Sequence, residues 1–243
     1  MFLVIHLMIA VRFHWKKAGT KPSRKVDLVA FHFDYGTMLL TEAGSKKRAS
    51  LHIVAGEAGL AAHDPGGLEV LEDSLEDFTE VLTRRNHTLK RALTDPLLFS
   101  GIGNAYSDEI LHAAGLSPVK WTTRLTPAEI TSLYQATRST LVDWCTRMQA
   151  EAEVAHPREG HRLPPGDGRS RTLRQPCPVC ATAVQEIAYA ANETNYCPCC
   201  QTGGKVLADR QLSHMLKNDW PKTIEELEAR LGPSDQASEQ DPA

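Results

Sequence analysis

No apolar run in this chain is long enough to cross a bilayer. The first, MFLVIHLMIAV, stops at residue 11, well short of the roughly 20 residues a spanning helix needs. It also lacks a charged leading segment and an A-x-A-type cleavage site, so it does not read as a secretory signal. A buried strand is the reading, and a cytoplasmic protein with no membrane partner is the expectation. Charge of one sign is not in excess either. The formal net charge is −3, so global electrostatics do not point to nucleic acid. No long internal repeat is present. Cysteines spread along the chain, as a disulfide framework would need, are missing too. Five of the six, Cys177, Cys180, Cys197, Cys199 and Cys200, crowd one short segment, and only Cys145 stands apart. Tight pairing of that kind favours metal and a reducing compartment.

What is present is an ordinary globular composition. The chain has 243 residues, 42% hydrophobic and 23% charged, enough for one large domain or two small ones. The charge is unevenly spread. Lys16, Lys17, Lys21, Arg24 and Lys25 cluster, as do Lys46, Lys47 and Arg48, and then Arg84, Arg85, Lys90 and Arg91, while acids gather at 69–80 and in the tail. Separated basic clusters can form one phosphate-neutralising face; solvated loops are the alternative.

The first 56 residues read as mostly β. FLVIHLMIAVRFHW is expected to be one buried strand. VDLVAFHFDYGTMLLTEA is expected to be two strands joined at Asp34-Tyr35-Gly36, with Val29, Phe31 and Phe33 alternating against Ala30 and His32, and ASLHIVAG another strand. Residues 57–80 read as a connector with short helices. A helix is expected over 77–94, with Phe78, Val81 and Leu82 on one face, and a second over 107–116 from Ser107. A long amphipathic helix follows. Thr126 is its N-cap, Pro127 its first residue and Glu129 completes a capping box. Ile130, Leu133, Tyr134, Thr137 and Leu141 form its buried stripe, and Cys145 extends it as a core residue. The stretch HPREGHRLPPGDGRSRTLRQP reads as a linker. DRQLSHMLKNDW and TIEELEARL read as helices, and GPSDQASEQDPA as a disordered tail.

Two motifs carry chemistry. The first is C-x2-C-x16-C-x2-C, formed by Cys177, Cys180, Cys197 and Cys200. Each pair sits on a tight turn and the residues between can form a hairpin, which closes a four-thiolate tetrahedral site for structural zinc. Four thiolates leave no open position for catalysis. Cys199 competes as a ligand by position, although Cys200 keeps the spacing of the first pair. The ribbon alone leaves DNA, RNA and protein open as partners.

The second motif is GIGNAY at residues 101–106. Tyr106 stands where a dinucleotide-binding turn needs a third glycine, and no Gly-Lys-Ser/Thr follows, so a P-loop is also excluded. A tight turn feeding a helix remains. Gly101 and Gly103 permit positive φ and close approach, N–H groups at a helix start bind phosphate oxygens, and the Asn104 amide either donates to a phosphate or caps its own helix.

Taken together and in this order, the motifs carry a resemblance. LKRALTDPLLFSGIGNAYSDEILHAAGLSP resembles the helix–two-turn–helix segment of the formamidopyrimidine-DNA glycosylase / endonuclease VIII family, CPVC…NYCPCCQ resembles its C-terminal zinc finger, and VIHLMIAVRFHW resembles a strand of its N-terminal β-sandwich. The resemblance spans roughly residues 2–201. It implies excision of damaged bases and cleavage of the abasic strand by β-elimination, with an N-terminal proline amine as nucleophile, a neighbouring glutamate and a hairpin lysine, on a flipped nucleotide. It makes Asn104 the phosphate-binding asparagine, with Gly101, Gly103, Lys90, Lys46, Lys47 and Arg48 as further DNA contacts. The four cysteines become zinc ligands, and Asp108 and Glu109 a structural acidic pair. Ile9 aligns with a gap-filling methionine and Asn192 with a phosphate-gripping arginine.

The chain departs from that pattern at its start, which reads Met-Phe rather than Met-Pro-Glu. The resemblance therefore describes an N-terminally truncated member whose catalytic nucleophile is not visible. A misassigned start, a DNA-binding remnant, or lyase chemistry by another amine such as Lys90 or the Met1 terminus are the alternatives. The expected architecture is α+β. A partial β-sandwich spans 1–70, a helix–two-turn–helix domain 71–155, a linker 156–174, a zinc finger 175–203, C-terminal helices 204–231 and a disordered tail 232–243. The expected protein is a monomer that binds double-stranded DNA carrying a damaged base or an abasic site, with structural Zn2+.

Overall fold

The computed structural model describes residues 1–8, 11–23, 25–42, 46–154, 175–189, 192–208 and 221–231. Ile9, the linker at 156–174, the helix expected over 209–220 and the tail at 232–243 lie outside the described residues. The chain divides into two compact units. One is Met1–Pro65 with Val142–Asp167, and the other is Gly66–Leu141 with Gly168–Ala243.

In the first unit the apolar opening is two strands rather than one, β1 (Phe2–His6) and β2 (Val11–Lys16). They join different sheets. β1 pairs antiparallel with β5 (Ser50–Val54), while β2 pairs with β4 (Gly36–Glu42), which also pairs with β3 (Asp27–Phe33). Between them Met8 turns at φ 51, a conformation that ends a strand. The opening is not buried throughout. Val11 is buried, but Leu3, Leu7, Met8, Phe13 and Trp15 are exposed. Burial follows position in the sheet. β4 is central in the order β2-β4-β3 and encloses Thr37, Leu39, Leu40 and Glu42, whereas the edge strands are covered less. In β3 the expected alternation fades, with Val29 and Phe31 half-buried and Phe33 exposed. The turn at Asp34-Tyr35 closes on Phe33 and Gly36 as read from the sequence. Gly36 is needed there because a Cβ would overlap the Trp15 ring, which stacks on Phe33 at 5.6 Å between centroids.

After the short α1 (Gly56–Ala61), the second unit begins with helices. The helix expected over 77–94 is two: α2 (Leu75–Thr83) and α3 (Leu89–Leu93). Ser74 caps α2 in a capping box with Asp77. The break at 84–88 is held from a distance. Thr122 donates its N–H to the His87 carbonyl at 2.8 Å and its hydroxyl to the Arg85 carbonyl at 2.8 Å. These bonds compensate the chain for interrupting its helix. α4 (Asn104–Ala113) begins three residues earlier than Ser107. α5 (Pro127–Val154) starts as predicted, with Thr126 and Glu129 exchanging their capping-box bonds at 3.3 and 2.9 Å. Phe78, Leu82, Leu89, Leu93, Phe99, Ile110, Leu111 and Leu133 form one core at 0–1% exposure. Cys145, expected in the core, is exposed, and its neighbour Trp144 takes the buried position. The helix face has rotated past the cysteine by one residue at that point.

The chain then forms an antiparallel hairpin, β6 (Gln185–Tyr189) and β7 (Asn192–Tyr196), followed by α6 (Pro198–Thr202) and α7 (Ile224–Leu231). α7 matches the helix read at TIEELEARL. The mixture of strands and helices is the α+β class expected.

Candidate metal centre and nucleic-acid interface

The metal site is built from two turns. Cys177 and Cys180 precede β6, and Cys197 and Cys200 bracket the start of α6, whose N-cap is Cys197. The four sulfurs converge. Cys180 Sγ lies 3.4 Å from both Cys197 and Cys200, and Cys177 Sγ lies 3.9 Å from Cys200. A tetrahedron with zinc–sulfur bonds of about 2.3 Å has sulfur–sulfur edges of about 3.8 Å, so the observed spacing fits zinc. Cys199 is exposed, whereas Cys197 and Cys200 turn towards Cys180. Cys177, Cys197 and Cys200 also form a group with His112, all with ligand atoms within 4.8 Å of one another.

The thiols differ in readiness. Burial pushes Cys197 up to about 11 from 9.0 and drives Cys200 higher still. Burial also works against Cys180, but hydrogen bonds with Thr182, Cys197 and Cys200 outweigh it and bring that thiol down to about 6.

The glycine turn lies in the same unit. Gly101 adopts φ 75, where a side chain is strained, while Gly103 is an extended N-cap with open space around it. Ile102 between them is buried and anchors the turn, and Gly101, Gly103 and Asn104 are exposed. Exposed N–H groups at the start of a helix suit an anion. Asn104 does not cap its own helix. Its Nδ2 donates to the Glu193 carbonyl of β7 at 3.0 Å.

Lys90, read from the sequence as a DNA contact, is committed within the protein. Its Nζ donates to the Asn104 carbonyl and to Asp108 Oδ1, each at 2.6 Å, and its side chain is 11% exposed. Burial lowers Lys90 from its ordinary value and raises Asp108, and their mutual attraction opposes both shifts. Asp108 Oδ2 accepts the Asn195 N–H at 3.1 Å. Asp108 and Glu109 are both buried. Lys46, Lys47 and Arg48 belong to the other unit and are exposed. The Lys47 ammonium turns back onto the Glu42 carbonyl, and the Glu42 carboxylate accepts the Arg48 N–H at 2.9 Å.

Three residues not singled out as part of the site join the ribbon to the rest of its unit. His112 Nε2 lies 3.1 Å from Cys177 Sγ. Gln201 accepts the Cys197 N–H at 2.7 Å and donates to the Leu116 carbonyl at 2.9 Å. Asn195 contributes the backbone bond to Asp108. The signal for His112 was its spacing: 104, 108 and 112 recur every four residues and so share one face of α4.

Comparison with known proteins agrees with this geometry. Residues 67–151 match the formamidopyrimidine-DNA glycosylase H2TH domain, and residues 174–203 match the zinc finger found in FPG and IleRS. An uncharacterized formamidopyrimidine-DNA glycosylase-like protein of Mycobacterium tuberculosis is 39% identical over 154 residues, covering 62% of this chain and 94% of that protein. A formamidopyrimidine-DNA glycosylase of Symbiobacterium thermophilum is 32% identical over 207 residues, covering 82% of this chain and 67% of that one. The fold is similar to Lactococcus lactis formamidopyrimidine-DNA glycosylase bound non-covalently to abasic-site DNA, with a TM-score of 0.65 at 22% identity over 82% of this chain and 74% of that one. It is equally similar to MutM in complex with DNA containing carbocyclic 8-oxo-G, at TM-score 0.65 and 20% identity over the same shares of the two chains. With the glycine–asparagine turn, the four-cysteine ribbon and these relatives in agreement, the chain belongs to the formamidopyrimidine-DNA glycosylase family.

Proposed function

We propose that this protein is a DNA glycosylase of base-excision repair that binds double-stranded DNA carrying a damaged base or an abasic site and cleaves the abasic strand by β-elimination. The observation that carries the reading is the exposed Asn104 turn tied directly to the zinc ribbon through Glu193. Gly101, Gly103 and Asn104 present backbone N–H groups and an amide to a phosphate, and zinc holds the hairpin beside them rigid. Lys90 sets the turn from behind, and Lys46, Lys47 and Arg48 add phosphate contacts from the other unit. Phosphate contacts position the protein on the duplex, while base contacts specify the lesion.

The lyase step needs an amine that attacks the sugar C1′, loses water to form a Schiff base, and leaves a strand break by β-elimination. Of the amines considered, Lys90 is held by Asp108. That pairing favours a second reading, a non-catalytic binder of damaged DNA. One experiment separates the two. The purified chain is mixed with a duplex bearing one abasic site, and borohydride is added. A covalent adduct is expected, and its mapped residue names the amine. Retained gel-shift binding without an adduct sinks the lyase claim and leaves the binder. Binding that is absent for abasic and intact duplexes alike overturns both readings.

A further inference from the structure

A zinc ion held by four thiolates leaves a double negative charge in a mostly buried place, with Cys177 at 2% and Cys197 at 0% exposure. Such charge needs hydrogen-bond donors. The ribbon supplies two of them locally. Cys180 Sγ lies 3.3 Å from the Thr182 hydroxyl, which becomes the donor once the thiol is deprotonated, and Cys197 Sγ accepts the Cys200 N–H at 3.5 Å. For Cys177 the partner comes from elsewhere, His112 of α4, which is 65 residues away in sequence. A zinc-bound thiolate has no proton to give, so Nε2 must be the donor.

We propose that His112 is a positioning residue for the zinc centre: its ring N–H donates to the zinc-bound sulfur of Cys177 and makes metal loading and the docking of α4 onto the ribbon a single linked event. The rest of the helix face supports this. Asn104 donates to Glu193, Asp108 accepts from Asn195, and His112 reaches Cys177, so one four-residue rhythm meets the ribbon at three successive points. His112 closes this seam at the metal, while the Asn104 turn closes it at the exposed end. His112 lies within ligand reach of Cys177, Cys197 and Cys200, but Cys180 Sγ, at 3.4 Å from both Cys197 and Cys200, completes a four-sulfur set with Cys177, which assigns the imidazole to the outer shell.

The test contains no DNA, so it succeeds or fails independently of the proposed function. The full chain and its H112F variant are loaded with Co2+ for spectroscopy and with Zn2+ for competition against a chromophoric chelator. H112F keeps the ring volume and removes the donor. In the wild type and H112F alike, the cobalt d–d bands are expected to report four sulfurs. The thiolate-to-cobalt charge-transfer band moves to lower energy in H112F, because the sulfur loses its hydrogen bond. Zinc affinity falls by about tenfold or more, the usual effect of losing an outer-shell partner. H112Q, which retains a donor, recovers part of both changes, which a purely steric role would not allow. If H112F does not fold, H112Q and H112M are compared by the same two readouts. A band position and a zinc affinity unmoved by loss of the donor would overturn the proposal. A wild-type spectrum of three sulfurs and one nitrogen would overturn it too, by making His112 a ligand.

Discussion

Lys90 and Asp108 are both taken out of water, with side chains 11% and 2% exposed, and they meet at 2.6 Å. Burial disfavours each charge, and the partner restores it. Removing one partner therefore leaves the other charge uncompensated, while removing both does not. K90M or D108N alone is expected to cost about 3–5 kcal/mol of stability, whereas the double variant K90M/D108N recovers most of that loss. Urea denaturation of the three variants measures it, and additive losses in the double variant would contradict the argument. Asparagine at 108 keeps an acceptor for the Asn195 N–H, whereas methionine at 90 also gives up the bond to the Asn104 carbonyl, so that part of the K90M loss persists in the double variant. Asn104 gives the complementary case. It is exposed, so N104A is expected to change stability little and to weaken duplex binding by roughly tenfold, the loss of one charge-assisted hydrogen bond. A gel-shift titration reads the affinity, and an unchanged value removes Asn104 from the interface.

The turns that flank β6, β7 and α6 form a small apolar cluster of Cys177, Val184 and Cys197, too small to hold a hairpin without metal. The helical core around Phe78, Leu93 and Leu133 is separate from it. Chelation is expected to abolish amide protection in 185–196 and to leave protection in α2 and the first half of α5, read by hydrogen exchange. Acidity acts on the same element. Cys197 and Cys200 are raised well above neutrality, so near pH 7 the metal-free ribbon holds both protons, while Cys180, at about 6, has already lost its own. Zinc binding must expel at least those two protons. Affinity is thus full at high pH and lost as pH falls, by at least about a hundredfold per unit between roughly pH 7 and 9. Calorimetry in buffers of different ionisation enthalpy counts the protons, and a pH-independent affinity would refute the assignment.

At the scale of the whole molecule, net charge and local charge point in different directions. The total is −3, yet the proposed duplex binding through the Asn104 turn and through Lys46, Lys47 and Arg48 would be driven by local contacts that displace counterions. Affinity for an abasic duplex is expected to fall at least tenfold between roughly 50 and 200 mM salt, with a log–log slope proportional to the phosphates engaged. A flat salt response would mean that these residues do not meet the backbone. The structural neighbours, below 25% identity, speak for the fold of the chain.

The amino-acid sequence by itself determined what depends on neighbours along the chain. The Asp34-Tyr35 turn, the Thr126–Glu129 cap and the paired cysteines are local patterns, and each appears where its residues place it. The Gly101 turn and the buried stripe of α5 as far as Leu141 belong to the same class. Tertiary structure alone decided the rest. That Leu39 and Leu40 are enclosed while Phe13 and Trp15 are exposed depends on which strand becomes central, and β4 takes that place through pairings on both sides. The helix read over 77–94 breaks because Thr122, 35 residues beyond His87, offers its backbone better partners. Lys90 turned inward because Asp108 lies across a helix packing that no local pattern announces. The same long-range packing decided that Asn104 reaches Glu193 and His112 reaches Cys177: contacts between residues far apart in the chain follow from the closure of the core, and their energies are felt only once that core has formed.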